Sequence, residues 1–305
     1  MRAPARLAQA VLVALALAAA AAGAAAAARV RPEAAISSEH DVVLVSGATG
    51  RTGRLAYEAL KARPGAPALA TRALVRNVTK AREVLGCGAC TPAEGIFVGD
   101  VTGELPDEAF AGADALIIAT SSVPHQLPDG SWAYYEGAYP VDIDFKGTIN
   151  QVAAASRHCD RVVLISSMGT TQPDSFLDLL GGGHSLMYKL AAEAHLMAVA
   201  SAHSLSYTII KPSGLTDVAA GAAALVVGHE DDFGAHKCGE GAGGCMSVAR
   251  SDVAAVAVAA AAEYACGASF VRFDLTSDRT GEAPKDFEKL FDAARVYASA
   301  TGALA

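Results

Sequence analysis

Gly47, Gly50 and Gly53 stand three residues apart in the run Ser-Gly-Ala-Thr-Gly-Arg-Thr-Gly-Arg at 46–54. Without side chains, the backbone can turn tightly there and come close to an anion. Val42 to Val45, before the run, reads as a short buried strand, and Leu55–Leu60, after it, as the first turns of a helix. The N–H groups that open such a helix lack intrahelical acceptors and lie at the positive end of its dipole. Strand, turn and helix together therefore make a cradle for a pyrophosphate. A glycine turn that serves only close helix–strand packing is the alternative.

Other polar residues fall just beyond later apolar runs, where ligands of a parallel sheet bind. Arg76 follows Thr71–Val75, 23 residues after Gly53. An acid in that place accepts from a ribose 2′-hydroxyl. An arginine suits a 2′-phosphate instead, and Arg51 adds positive potential. NADP is therefore expected over NAD, with a solvated surface arginine as the alternative. Asp100 and Val101 follow the third run, where a carboxylate accepts from an adenine amino group and an apolar side chain packs near the ring. Capping of a turn is the equal alternative for Asp100. Thr120, Ser121 and Ser122 follow the fourth run, where the middle of a dinucleotide crosses. Ser166 and Ser167 follow the fifth, where the nicotinamide ring lies.

These positions are set by a regular alternation. Strands are expected at Val42–Val45, Thr71–Val75, Gly95–Val98, Asp114–Ala119, Arg161–Ile165, Ser206–Ile210 and Ser269–Leu275. Helices are expected over Val78–Leu85, Val141–Arg157, Ser185–Ala202, Val253–Glu263 and Lys285–Ala298, with Ser251 and Asp252 as the cap and first-turn acid of the fourth. The pattern predicts an α/β fold, a doubly wound parallel sheet of the NAD(P)-binding Rossmann kind. One domain spans 41–300, with a small substrate-side region toward its C-terminus. Gly221–Gly244 is the least regular stretch. Within it, Glu230-Asp-Asp232 either shapes a lid over a substrate or forms a solvated turn.

The chain has 305 residues and a net charge of −8, which argues against nonspecific nucleic-acid binding. Residues 1–28 open with Arg2 and Arg6 and run apolar from Leu7 to Ala28, broken by Gln9 and Gly23. Val11–Leu17 has the length of a signal-peptide core, and Ala22–Ala28 offers small residues for cleavage. A retained membrane anchor is the alternative. In the 29–40 linker, Arg29, Arg31, Ser37 and Ser38 are weakly transit-like, whereas Glu33 and Glu39 argue against that. The leader predicts entry to the secretory pathway or a plastid rather than the cytosol, and no stable membrane span is expected in the mature chain. Of six cysteines, Cys87-Gly-Ala-Cys90 has redox or metal spacing. With Cys238 and Cys245 it is a zinc candidate whose spacing does not match paired knuckles. Loop disulfides and unpaired thiols are the other readings, and no metal is expected.

Taken together, the motifs resemble the atypical short-chain dehydrogenase/reductase family, and within it the NmrA-like, group-5 NAD(P)-binding proteins of plants and algae. The resemblance rests on the glycine run at 46–54, Leu-Val-Arg-Asn at 74–77, Gly-Asp-Val-Thr at 99–102, Ala-Leu-Ile-Ile-Ala-Thr-Ser-Ser-Val-Pro at 115–124, Ser-Ser-Met-Gly at 166–169 and Tyr-Thr-Ile-Ile-Lys-Pro-Ser-Gly-Leu at 207–215. Phe-Asp-Leu-Thr-Ser-Asp at 273–278 and Lys-Asp-Phe-Glu-Lys-Leu-Phe at 285–291 extend it, to roughly 41–298. It implies an extended Rossmann domain binding NADP. The cofactor contacts it implies are the glycine turn (Gly47, Thr49, Gly50, Arg51, Thr52 and Gly53), Arg76 and Asp100. It also implies that Lys189 approaches the nicotinamide ribose and that Pro212 to Gly214 line the nicotinamide end.

One departure matters. Typical members pair a tyrosine with a lysine four residues later, on one helix face, as general acid/base. Here Tyr188 directly precedes Lys189, and adjacent helical residues point about 100° apart. Tyr57 and Lys61 have the spacing but follow the glycine turn, far from the hydride-transfer end. Tyr207 and Lys211 lie on a strand, about 13 Å apart by strand rise. Ser166 and Lys189 remain the catalytic candidates, and Tyr188 is either packing or catalytic. Two readings stand: an NADPH-dependent reductase of a small molecule, and a cofactor-binding regulatory or scaffold protein that senses the NADP redox state and works through a protein partner.

Overall fold

The computed structural model describes residues 42–64, 70–172, 174–231, 247–263, 269–278 and 287–300. The leader and linker, Asp232, Cys238, Cys245, the glycine-rich 234–244 stretch and the expected helix start at Lys285 lie outside the described residues. In chain order the elements are β1 (Val43–Ser46), α1 (Arg51–Lys61), β2 (Thr71–Val75), α2 (Val78–Leu85), β3 (Ile96–Val98), α3 (Asp107–Phe110) and β4 (Ala115–Ile118). A hairpin, β5 (His125–Gln126) and β6 (Trp132–Ala133), follows. Then a π-helical turn, Val141–Gly147, leads into α4 (Thr148–His158) and β7 (Arg161–Ile165). The second half holds α5 (Phe176–Leu179), α6 (Ser185–His203), β8 (Ser206–Pro212), β9 (Gly214–Thr216), β10 (Ala224–Gly228), β11 (Ser247–Ala249), α7 (Arg250–Val258), β12 (Val271–Asp278) and α8 (Glu288–Ala300).

The main sheet runs β10-β12-β8-β7-β4-β1-β2-β3, parallel throughout except for β10, which pairs antiparallel with β12 at the edge. The seven parallel strands are the seven apolar runs. Their side chains alternate between two cores, as the strand period requires. Val43, Val45, Ile117, Val163, Ile210 and Phe273 face α1, α7 and α8. Leu44, Leu116, Ile118, Val162, Leu164 and Ile209 face α4 and α6. Strand order reverses between β1 and β4, which makes their carboxyl ends the crevice of the doubly wound fold. Among the described residues, no helix is long and apolar enough to cross a membrane.

Two local expectations are corrected. α7 begins after Ala249 with no side-chain cap. The Ser251 hydroxyl donates to the Val218 carbonyl instead of capping, whereas Asp252 does stand in the first turn of α7, where its carboxylate also accepts from the Gly221 N–H. The stretch after Gly221 is not wholly irregular, because Ala224–Gly228 forms the edge strand β10. Its Ala-Leu-Val-Val run gains a partner only once β12 is in place.

Candidate functional site

β1 ends at Ser46 and the chain turns at once. Gly47 takes φ +73°, and a Cβ there would lie 2.7 Å from the Ala119 carbonyl oxygen, just past β4. A Cβ on Gly50 would sit 3.1 Å from the Gly47 oxygen, and one on Gly53 would overlap that same oxygen. Side chains are therefore excluded where the first βα turn meets the end of β4. The Gly50 N–H closes the turn on the Gly47 oxygen at 2.8 Å. α1 then opens without a side-chain cap and without an acid in its first turn. Its leading N–H groups, with Thr49 and Thr52 half-buried beside them, suit an anion. A dinucleotide pyrophosphate fits this cradle, because a closed backbone turn with free amides matches its charge and its need for close approach.

A cleft of about 610 Å³ adjoins the turn, lined among others by Thr49, Gly50, Arg51, Arg54, Lys80 and Arg250. Asp217 enters the same cleft, and its carboxylate pairs with Arg51 and, at 3.1 Å, with Arg250. Arg76 leaves the end of β2 with its side chain exposed, 3.9 Å from the Asp100 carboxylate. Local sequence explains how Lys80 is presented. Asn77 caps α2 by accepting from the Lys80 N–H at 2.9 Å, and Gly86, at φ +67°, ends the helix. Asp100 Oδ1 accepts from the Thr102 N–H at 2.9 Å and its hydroxyl at 2.8 Å, a turn-capping geometry. Burial pushes the Asp100 carboxyl up, but the Thr102 hydrogen bonds and Arg76 outweigh it and hold it below its ordinary value. Val101 packs where Gly147 has no side chain. A Cβ on Gly147 would come within 2.8 Å of Val101 Cγ2.

The far end is built on Asp144, whose carboxylate is fully buried in the π-helical turn. It accepts from Ser121 Oγ at 2.9 Å, from the Ser122 N–H at 3.1 Å and from the Ser122 hydroxyl. Lys189 Nζ, from α6, donates to it at 2.6 Å. Gln151 steadies Thr120 by donating to its Oγ1 at 3.2 Å. The loop after β4 is thus clamped beside Lys189. Ser166 is turned elsewhere. Its hydroxyl donates to Glu193, one turn beyond Lys189 on α6, and Glu193 is in turn held by Arg272 at 2.8 Å. Ser167 donates to the Met168 carbonyl. The Met168 N–H donates to Pro212 O at 2.9 Å, tying the ends of β7 and β8 together, and Gly214 opens β9 just beyond.

The three tyrosines weighed above pack. Tyr188 lies 6.1 Å from the Phe145 ring, Tyr57 is buried under the Lys61 ammonium, and Tyr207 meets Phe270 edge-on. Lys211 is fully buried, paired with Asp231 at 2.6 Å and Asp274 at 2.9 Å. Cys87 and Cys90 form a disulfide, so their sulfurs are not thiolate ligands. Cys159 is a buried thiol pushed up to about 12 by burial, with Asp114 and Asp160 adding to the effect.

Sequence reasoning missed Asp144, Glu193 and Ser185, which stands four residues before Lys189. A signal for Asp144 existed. Asp144, Thr148 and Gln151 recur at helical spacing and all are buried, a polar stripe on an inward face.

Residues 47–264 match the family model for NAD(P)H-binding proteins. The chain belongs to that family. Its sheet, crevice and glycine turn are those of an NAD(P)-binding Rossmann fold of the atypical short-chain dehydrogenase/reductase type. The chain is 34% identical over 289 residues to sanguinarine reductase of Eschscholzia californica, covering 84% of this chain and 97% of that one. It is also 34% identical over 275 residues to a chloroplastic protein of Arabidopsis thaliana, covering 86% and 78%. A solved structure from Bacillus halodurans, named as an NAD-dependent epimerase/dehydratase, superposes with a TM-score of 0.60 at 26% identity, covering 82% of this chain and 98% of that one.

Proposed function

We propose that this NAD(P)H-binding protein is an NADPH-dependent reductase of a planar, largely apolar carbonyl or quinone compound, acting in a plastid. The observation that carries the reading is the clamp of Asp144 on Ser121, Ser122 and Lys189 beside the β1–β4 crevice. A buried carboxylate–ammonium pair costs desolvation and is kept where it orients something. The glycine turn, Thr49 and Thr52 would hold the pyrophosphate, Arg51 and Arg76 the 2′-phosphate, and Lys189 the nicotinamide ribose. Asp100 and Val101 would meet the adenine, and Pro212 and Gly214 would line the nicotinamide end. Bound NADPH would supply the hydride. Lys189, oriented by Asp144, would fix the ribose and keep positive charge near the oxygen that gains electrons. Ser166 would act indirectly, since its bond to Glu193 braces the β7 end against α6.

Support for an apolar, flat acceptor comes from exposed aromatic residues: Trp132 on the hairpin, Tyr135 and Tyr139 on the segment after it, and Phe176 on α5. Support for reduction and for a plastid comes from the relatives, one named a reductase and another chloroplastic. The second reading, a redox-sensing scaffold, is favoured by Ser185 standing where a tyrosine would precede Lys189.

Fluorescence titration with NADPH and NADH, followed by NADPH oxidation against quinones and aromatic aldehydes, separates the two. NADPH is expected to bind more tightly than NADH. Arg76→Ala is expected to weaken NADPH by about tenfold and leave NADH unchanged, the loss of one charge-assisted contact. Binding without turnover of any compound supports the scaffold. No preference for NADPH, or no effect of Arg76→Ala, overturns the 2′-phosphate assignment.

A further inference from the structure

Cys87-Gly-Ala-Cys90 is closed by a disulfide on the loop that leads from α2 toward β3. None of its four residues lines the glycine-turn cleft or joins the Asp144 clamp. A bridge across two residues restricts the unfolded chain much less than one that closes a long loop, so stability is a weak reason for it.

The loop has other means of keeping its shape. The Glu94 carboxylate accepts from three successive N–H groups, Gly88 at 2.7 Å, Ala89 at 2.8 Å and Cys90 at 2.9 Å. From the opposite side Arg82 Nε, in the last turn of α2, donates to the Gly88 carbonyl at 3.0 Å. These bonds involve neither sulfur. They persist when the bridge opens and keep the two thiols of the reduced form within reach of each other. Closing the bridge again is then an intramolecular step at high effective concentration.

The two sulfurs differ in access. Cys90 is 4% exposed and packs in the core cluster that contains Tyr57, Leu60 and Ala81. Cys87 is half-buried, and Gly86, Gly88 and Ala89 around it are exposed. A Cβ on Gly86 would meet nothing within 4 Å, and one on Gly88 would meet only the Glu94 carboxylate, at 3.7 Å. A thiolate therefore approaches Cys87 over two glycines and an alanine, whereas core packing closes off Cys90.

From this arrangement we propose that Cys87 and Cys90 are a thiol–disulfide exchange site for an external dithiol, with Cys87 as the sulfur attacked. The site requires neither the cofactor nor the substrate of the reductase reading. One thiolate of the dithiol bonds to Cys87 Sγ as the Cys87–Cys90 bond breaks, and Cys90 leaves as a thiolate that takes a proton. The second thiolate of the dithiol then bonds to the first sulfur of its own molecule, and Cys87 leaves and is protonated. In net terms one S–S bond forms for the one that breaks. Two electrons pass to the cysteine pair, the dithiol is oxidised, and the two protons it releases match the two taken up.

The test equilibrates the full chain with reduced and oxidised dithiothreitol at set ratios, alkylates free thiols with N-ethylmaleimide, and reads the peptide that holds both cysteines by mass spectrometry. Circular dichroism follows the fold in parallel. The bridge is expected to open and close reversibly with the dichroism unchanged. A bridge that opens only where the dichroism is lost, or a pair that stays as thiols in oxidised dithiothreitol, overturns the exchange site. With oxidised glutathione, Cys87 in the Cys90→Ser variant is expected to form a mixed disulfide at least about tenfold faster than Cys90 in the Cys87→Ser variant. Equal rates overturn Cys87 as the sulfur attacked. Glu94→Ala is expected to move the equilibrium toward the dithiol form at least about tenfold, through loss of the three bonds that hold the loop. An unchanged equilibrium overturns the role of Glu94 in closure. Micromolar reduced thioredoxin and the same concentration of dithiothreitol then distinguish the source of the dithiol. Faster opening by thioredoxin assigns the site to a protein dithiol, and equal rates assign it to a small molecule.

Discussion

Asp217 occupies two arginines that line the glycine-turn cleft. Its pairs with Arg51 and Arg250 join α1 to the start of α7, but the Arg51 and Asp217 side chains are about two-thirds exposed, at 65% and 63%. Water and salt screen such a pair, so it contributes no more than about 1 kcal/mol. Under the proposed 2′-phosphate assignment, an entering phosphate would compete with this carboxylate for the same guanidinium. Asp217→Asn is therefore expected to tighten NADPH by up to about fivefold and to change NADH less, as calorimetric titration would show. Weaker NADPH binding in this variant would mean that Asp217 organises the cleft instead of competing for it. Ser166 teaches a related lesson at this scale. Its type and its place after β7 were legible, but the direction of its hydroxyl was not, because Glu193 on α6 decides that.

Among the elements, the glycine turn was the most legible because every requirement for it is local. Gly53 has no room for a methyl group beside the Gly47 oxygen, and that oxygen also closes the turn. Gly53→Ala is expected to abolish measurable NADPH binding and to lower stability by about 1–3 kcal/mol, the usual consequence of overpacking. Thermal unfolding with and without NADPH checks both effects, since a variant that NADPH still stabilises would refute the steric argument. The seven parallel strands and the long helices were also legible, their periods being strong and their boundaries marked by Asn77, Gly86 and similar residues. The β5–β6 hairpin and the π-helical turn were not. Each strand of the hairpin is two residues long and is supported by the 180–182 turn, which is distant in sequence. The π-helical turn reads as ordinary helix until Asp144 is seen to pair with Lys189.

At the scale of the whole molecule, a buried charge cluster ties β8, β12 and the segment after β10 to the loop after β7. Lys211 on β8 meets Asp231, just past β10, and Asp274 on β12. Asp231 also accepts from the Gly169 N–H at 2.6 Å, the Thr171 N–H at 2.8 Å and the Thr171 hydroxyl, all in the loop after β7. Burial alone would raise the Asp231 carboxyl, but Lys211 and these donors hold it at about 2. A carboxyl depressed below its unfolded value of 3.8 stabilises the fold fully above that value. The contribution is lost as pH falls from about 4 to about 2. Asp231→Asn is therefore expected to cost about 3 kcal/mol at neutral pH. The gap from wild type in urea midpoints should narrow at pH about 3 and close below about 2. A gap that does not change with pH would assign the loss to packing.

Composition, period and spacing were enough to determine the α/β class, the run of parallel strands and the glycine turn. These depend on residues near one another in the chain, whose backbone preferences act before any folding partner is present. Only the tertiary structure decided which polar side chains meet. Asp144 with Lys189, Ser166 with Glu193, and Lys211 with Asp231 and Asp274 are distant in sequence and become neighbours through strand order and helix packing. The aim of a side chain is set by the elements it packs against, and a one-dimensional pattern does not contain that direction.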